Sequence, residues 1–162
     1  MKMTRKVRLA DASEIADIYN VYVEETTVSF ETDPVDVEQM RQRVIDVSSE
    51  FPYLVYEIDG KIVGYAYAHR WKERAAYSNT LETTIYVDRK MKHCGIGTEL
   101  MHELVEECRR RNFHVLIACI TGENLASMAF HKRLGFKEVS HFHDVGKKFG
   151  RWLDVIDMEL QL

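Results

Sequence analysis

Proline is scarce in this chain. Pro34 and Pro52 are the only two among 162 residues, which excludes a proline-rich linker or polyproline segment. Cysteine is scarce as well. Cys94, Cys108 and Cys119 are odd in number and form no CxxC pair, so neither a disulfide scaffold nor a cysteine-based zinc site is encoded. No apolar run reaches membrane-crossing length. The opening "MKMTRKVRLADAS" is charged and lacks the apolar stretch of a secretory leader. Together these absences predict a cytoplasmic protein with free thiols and no membrane partner. A large excess of one charge is missing too: the net charge of -4 leaves no global basic field to attract nucleic acid. The seven histidines show neither HExxH nor zinc-ligand spacing. His141 and His143 would share one face of a strand, and they read as an exposed pair, with no metal expected.

What is present is an ordinary globular composition, 46% hydrophobic, with neither repeat nor linker, so residues 1–162 are expected to form one domain. "VRLA" (7–10) alternates like a short strand. In "DASE", Asp11 and Glu14 are placed to form a capping box, and Ile15, Ile18, Tyr19, Tyr22 and Val23 follow at helical spacing. Asp33 before Pro34 marks a second helix start, with Val37, Met40, Val44 and Val47 as its apolar stripe. "YLVYEI" and "KIVGYAYAH" flank Asp59-Gly60, a two-residue hairpin signal, and "TLETTIYV" (80–87) continues the meander. A helix carrying Leu100, Met101, Leu104, Val105 and Cys108 comes next, then the apolar run "HVLIACI" (114–120), a buried strand. Asn124 caps a short helix that stops at Gly135. "EVSHFHDVG" and "RWLDVIDMEL" close the chain as strands. The order β-α-α-β-β-β-α-β-α-β-β predicts an α+β fold: a mixed, mostly antiparallel sheet flanked by helices. Its one β-α-β crossover makes 80–87 and 114–120 parallel.

At that crossover lies "RKMKHCGIGTEL" (89–100), where Arg89, Lys90, Lys92 and His93 precede two glycines and a helix start. Strand, basic run, bare turn and helix N-terminus in that order suit a phosphate. Gly97 is followed by Thr98 with no lysine, which excludes a Walker A loop, and Leu100 stands where a dinucleotide fingerprint needs glycine. The backbone N–H groups from Cys94 to Thr98 remain, able to converge on a pyrophosphate.

Strand-"RKMKHCGIGTEL"-helix resembles the pyrophosphate loop Q/R-x-x-G-x-G/A of the GNAT acetyltransferase superfamily, and "NLASMAFHKRLGF" (124–136) resembles its second acetyl-CoA motif. "IYNVYV", "TVSFE", "GYAYA", "RAAY", "LETTIYV", "HKRLGF" and "GRWLDV" are similar to the branch that acetylates phosphinothricin and methionine sulfone. The resemblance spans nearly the whole chain. It implies the GNAT fold, acetyl-CoA as co-substrate, a small amino-acid-like amine as acceptor, and a homodimer. Lys92 departs from the usual Gln or Arg, keeping charge without the planar fork. Lys92, His93, Cys94, Gly95, Ile96, Gly97, Thr98 and Asn124 become the expected cofactor contacts, with the backbone of Ile85, Tyr86 and Val87.

The branch transfers the acetyl group directly, so a base, an oxyanion donor and a path for the leaving thiolate are needed. Glu82 shares a strand face with Thr84 and Tyr86; a carboxylate so placed is expected to have a raised pKa and to act as base, or else to pair with a nearby arginine. A backbone N–H near Ile85 to Val87 would hold the oxyanion. His131 stands seven residues after Asn124, where the superfamily often has an acid; it is either that acid or a buried structural histidine. In "HRWKERAAY", Arg74 would read an acceptor carboxylate or form a surface salt bridge to Glu73 or Glu82. Trp71, Ala75, Ala76 and Tyr77 would wall the pocket and Phe30 would close it. An acceptor at a protein N-terminus, a polyamine acceptor, or an acetyl-CoA-binding domain without turnover are the alternatives.

Overall fold

The computed structural model describes all 162 residues. Seven strands form one sheet: β1 (Lys2–Lys6), β2 (Tyr53–Ile58), β3 (Lys61–Arg70), β4 (Thr80–Val87), β5 (Val115–Thr121), β6 (Lys137–Lys148) and β7 (Arg151–Gln161). They lie in the order β1-β2-β3-β4-β5-β7-β6. Only β4 and β5 run parallel, joined by helix α3 (Ile96–Arg110). Helices α1 (Ala12–Glu25) and α2 (Val37–Ser48) pack against one face of the sheet. On the other face α3 buries Leu100, Met101, Leu104, Val105 and Cys108 in the second half of the core. Helix α4 (Leu125–Arg133) follows β5. The expected element order and the parallel crossover are both present.

Local signals acted where they were self-contained. Asp59 and Gly60 both take positive φ, 49° and 84°, the geometry a two-residue hairpin requires. Asn124 caps α4 by accepting the Ser127 N–H at 3.2 Å, and Gly135 takes φ 95° just past its end.

Three expectations near the N-terminus are corrected. The first strand is "KMTRK", not "VRLA"; Leu9 to Asp11 form a 3-10 turn instead. Arg5 explains the shift, because its guanidinium bridges Asp11 at 2.8 Å and Glu57 of the neighbouring strand at 2.7 Å. Asp11 and Glu14 make no capping box. The Asp11 carboxylate is taken by Arg5 and by the Arg8 N–H at 2.7 Å, and Glu14 accepts the Ile62 N–H across the fold at 3.0 Å. The second helix starts at Asp36 rather than Asp33: Asp36 and Gln39 cap each other's backbone at 2.8 and 2.9 Å, the reciprocal box that satisfies two otherwise unpaired N–H groups.

Candidate active site

β4 pairs with β3 along nearly its whole length, from Leu81 to Val87. With β5 it pairs only through Thr80 to Thr83. Beyond Thr83 the two strands diverge, and a cleft opens between them, lined by Ile85, Tyr86, Cys119, Asn124 and His131 among others. The Asp88 N–H bonds Val63 on β3. Backbone N–H groups alternate along a strand, so those of Ile85 and Val87 point away from β3, into the divergence. Tyr86 faces β3 in register with Tyr65, so its N–H is not turned to the cleft. Its ring packs edge-on against Tyr19, with centroids 5.2 Å apart.

At the far end of this edge stands the glycine loop. Gly95 is the N-cap of α3, with φ 80°, a left-handed conformation that a Cβ would strain. The first in-helix bond runs from the Glu99 N–H to the Gly95 carbonyl. The N–H groups of Ile96, Gly97 and Thr98 therefore have no helical acceptor. Gly97 is different: a Cβ there would meet Phe130 of α4 at 3.5 Å and Ile85 at 3.7 Å, so the loop, β4 and α4 meet at this residue. His93 takes φ 64°, and Cys94 is exposed beside it. Arg89 is already paired with Glu25 at 2.7 Å, and the Lys92 ammonium lies 5.7 Å from the Tyr22 ring centroid. Free amides at a helix N-terminus fit a pyrophosphate, and the unpaired β4 edge fits an extended amide-bearing arm. Acetyl-CoA has both.

Glu82 and His69 are register partners on β4 and β3. The alternative of an arginine partner for Glu82 is not met; His69 Nε2 lies 2.8 Å from its carboxylate. Nδ1 of the same ring is 3.0 Å from the Arg70 carbonyl. Both ring nitrogens thus face acceptors, an arrangement satisfied fully by the imidazolium. Partial burial pulls the His69 pKa down, but the hydrogen bond and charge of Glu82 outweigh it, and the net shift is upward. His69 was invisible in the sequence, because only the β3–β4 register brings it to Glu82.

The β3–β4 connection arches from this pair. Trp71 and Tyr77 meet edge to face at 5.3 Å, with the Lys72 ammonium 4.3 Å from the Trp71 ring centroid. Arg74 precedes the 3-10 turn Ala75–Tyr77, and its side chain pairs with neither Glu73 nor Glu82. Ala75 and Ala76 are exposed members of that turn. Phe30 does not itself line the cleft, although Val28, two residues before it, does. The Phe30 ring covers Gly146 of β6 so closely that a Cβ there would lie 2.3 Å away. The same segment is tied down by Lys148, a buried lysine that donates to the Ser29 carbonyl at 2.7 Å, and by Thr121, which donates to Thr27 at 2.6 Å. Neither anchor was anticipated.

His131 is buried, and its Nδ1 is 2.8 Å from the Ser127 carbonyl. Burial lowers its pKa. The neutral ring therefore carries its proton on Nδ1 and none on Nε2. No thiolate stands nearby: burial and the carboxylates of Glu82 and Asp157 push the Cys119 thiol up to about 12, although that side chain still reaches the surface.

A splayed parallel strand pair, an amide-rich loop at a helix N-terminus and a carboxylate on the central strand define an acyl-CoA-dependent acyltransferase. Residues 4–156 match the acetyltransferase (GNAT) domain family. The chain is 39% identical over 160 residues to the phosphinothricin N-acetyltransferase of Alcaligenes faecalis, covering 98% of this chain and 81% of that one. It is 36% identical over 161 residues to the L-methionine sulfoximine/L-methionine sulfone acetyltransferase of Pseudomonas paraeruginosa, covering 98% and 93%. Among solved structures it superposes, at TM-score 0.96 and 33% identity, on a phosphinothricin acetyltransferase from Sinorhizobium meliloti in complex with acetyl-CoA, covering 99% and 88%. The chain belongs to the GNAT acetyltransferase family.

Proposed function

We propose that the chain moves the acetyl group of acetyl-CoA to the amino group of a small amino acid or an analogue of the phosphinothricin or methionine sulfone type. The observation that carries this reading is the Glu82 carboxylate, held by His69 where β4 begins to diverge from β5. Bound acetyl-CoA supplies a thioester carbonyl open to attack by an amine. Glu82 takes the amine's proton on the oxygen that His69 leaves free, as the C–N bond forms and the C–S bond breaks. The Ile85 and Val87 N–H groups receive the charge gathering on the carbonyl oxygen. His69 fixes the direction of the carboxylate. His131 would need a second proton to act as acid, which its burial opposes, so we give it a packing role and leave thiolate protonation to solvent.

A cytoplasmic location is part of this proposal; no helix is long and apolar enough to cross a membrane. Val145, Phe149 and Trp152, exposed on the β6–β7 hairpin, give the proposed homodimer an apolar surface.

Arg74, free of ion pairs and in the arch above His69 and Glu82, is the proposed anchor for the acceptor carboxylate. A charged hydrogen bond lost there is worth about 1.5 kcal/mol, so Arg74→Ala is expected to raise the acceptor KM about tenfold. Thiol release from acetyl-CoA, measured across a panel of amino acids, their methyl esters and polyamines, checks both points. Free acids should outpace esters with the unmodified enzyme, and the gap should narrow in the variant. Equal rates for acids and esters would remove the carboxylate site and favour a peptide or polyamine acceptor.

A further inference from the structure

On the β6–β7 hairpin the structure adds a third group to the two histidines noticed in the sequence. β6 carries a register shift between Phe142 and Gly146, with Asp144 at φ 52°, and this irregularity brings His141, His143 and Asp154 together. One ligand atom from each lies within 4.8 Å of the others. We propose that His141, His143 and Asp154 form a binding site for one divalent transition-metal ion of the zinc class.

The donor set is two imidazoles and a carboxylate, which favours zinc, nickel or copper over magnesium or calcium. The imidazole rings are stacked, with centroids 4.2 Å apart and planes 13° from parallel. The stacking sets the two rings side by side on one face of the hairpin, each with a ring nitrogen available to a shared ion. His141 Nε2 lies 2.8 Å from one Asp154 oxygen. The other oxygen accepts the Asp144 N–H at 2.9 Å, so both carboxylate oxygens are held in a fixed direction. The Asp154 backbone is fixed as well: its carbonyl accepts the Gly122 N–H at 2.8 Å, and a Cβ on Gly122 would sit 2.8 Å from the Asp154 Cβ.

A metal at about 2.0–2.2 Å from each donor requires the donors roughly 3–3.5 Å apart. Both histidines are exposed, so rotating their side chains closes the remaining gap without moving the backbone. The ion takes the place of the proton between His141 Nε2 and Asp154, and the metal-bound neutral ring carries that proton on Nδ1 instead. Water completes the tetrahedron.

The test is calorimetric titration of untagged, chelator-treated protein with Zn²⁺ in two buffers of different ionisation enthalpy, alongside Co²⁺ absorption. One ion per chain and the intense visible bands of tetrahedral cobalt are expected, and the two buffers count any proton exchanged. Zn²⁺ at about 100-fold over its Kd should raise Tm by about 5–10 °C. His141→Gln and His143→Gln should each weaken binding at least about tenfold, while His102→Gln, on the exposed face of α3, should leave it unchanged. Both tested histidines are on the surface, so the variants are expected to stay folded, which circular dichroism checks. Absence of saturable binding, or binding that His143→Gln leaves intact, overturns the site.

Discussion

Glu82→Gln is expected to lower kcat by about 10²–10⁴-fold. Glutamine keeps the size of the side chain and an oxygen for His69, so the β3–β4 pairing should survive. What it loses is the capacity to take a proton. Each decade of lost rate corresponds to about 1.36 kcal/mol of barrier. Binding of acetyl-CoA should change little, because the proposed anchors of that ligand are the α3 amides and the edge of β4 beyond Thr83. The deficit should shrink as pH rises, since the free amine then needs no base. Turnover near the unmodified rate at neutral pH would reject the assignment. A second readout comes from stability. The His69 pKa is raised by Glu82 against the opposing effect of burial. A raised pKa in the folded state means the pair's contribution is present in mildly acid solution and fades as pH rises through that value. The Tm difference between the two proteins should follow the same course.

Gly95→Val should abolish the thermal stabilisation by acetyl-CoA. At 100-fold over its Kd that ligand contributes about 2.7 kcal/mol to the unmodified fold. Valine resists the φ of 80° found at Gly95, so the turn must re-route and the Ile96, Gly97 and Thr98 amides lose their common aim. No neighbour lies within 4 Å of the position a Cβ would take, so the defect is one of backbone conformation and the rest of the core is untouched. Gly97→Ala separates the two causes. Its Cβ would make ordinary contact with Phe130, and the protein should fold normally; any loss of ligand stabilisation then reports crowding of the bound anion. Differential scanning fluorimetry with and without acetyl-CoA decides the matter, and an undiminished shift in Gly95→Val would remove the loop from the binding site.

The parts of this molecule that could be read from the sequence are those whose physics is local. Asp59-Gly60 needs only its own two φ angles, and the glycine loop is a strand, a turn and a helix in succession. Asn124 and Gly135 bound a helix whose capping partners lie within a few residues. The failures share the opposite property. Asp11 and Glu14 have the spacing of a capping box, yet Arg5, Arg8 and the distant Ile62 amide take their oxygens. "KMTRK" looks too polar for a strand until Glu57 is set beside Arg5. The same limit applies at the site. Glu82 is a candidate from its strand face and the family resemblance, whereas His69 joins it only through register, and Asp154 joins His141 only through a bulged hairpin.

The divergence of β4 from β5 has a consequence for solvent exchange. Strand amides in the middle of a sheet are normally among the slowest to trade hydrogen for deuterium. Ile85 and Val87 lie in a central strand, yet their N–H groups point into the gap rather than to a neighbour, whereas Tyr86 between them faces β3. In the free protein the exchange map of β4 should therefore alternate, fast at Ile85 and Val87 and slow at Tyr86. Saturating acetyl-CoA should erase that alternation, leaving β4 as uniformly protected as a strand paired on both edges.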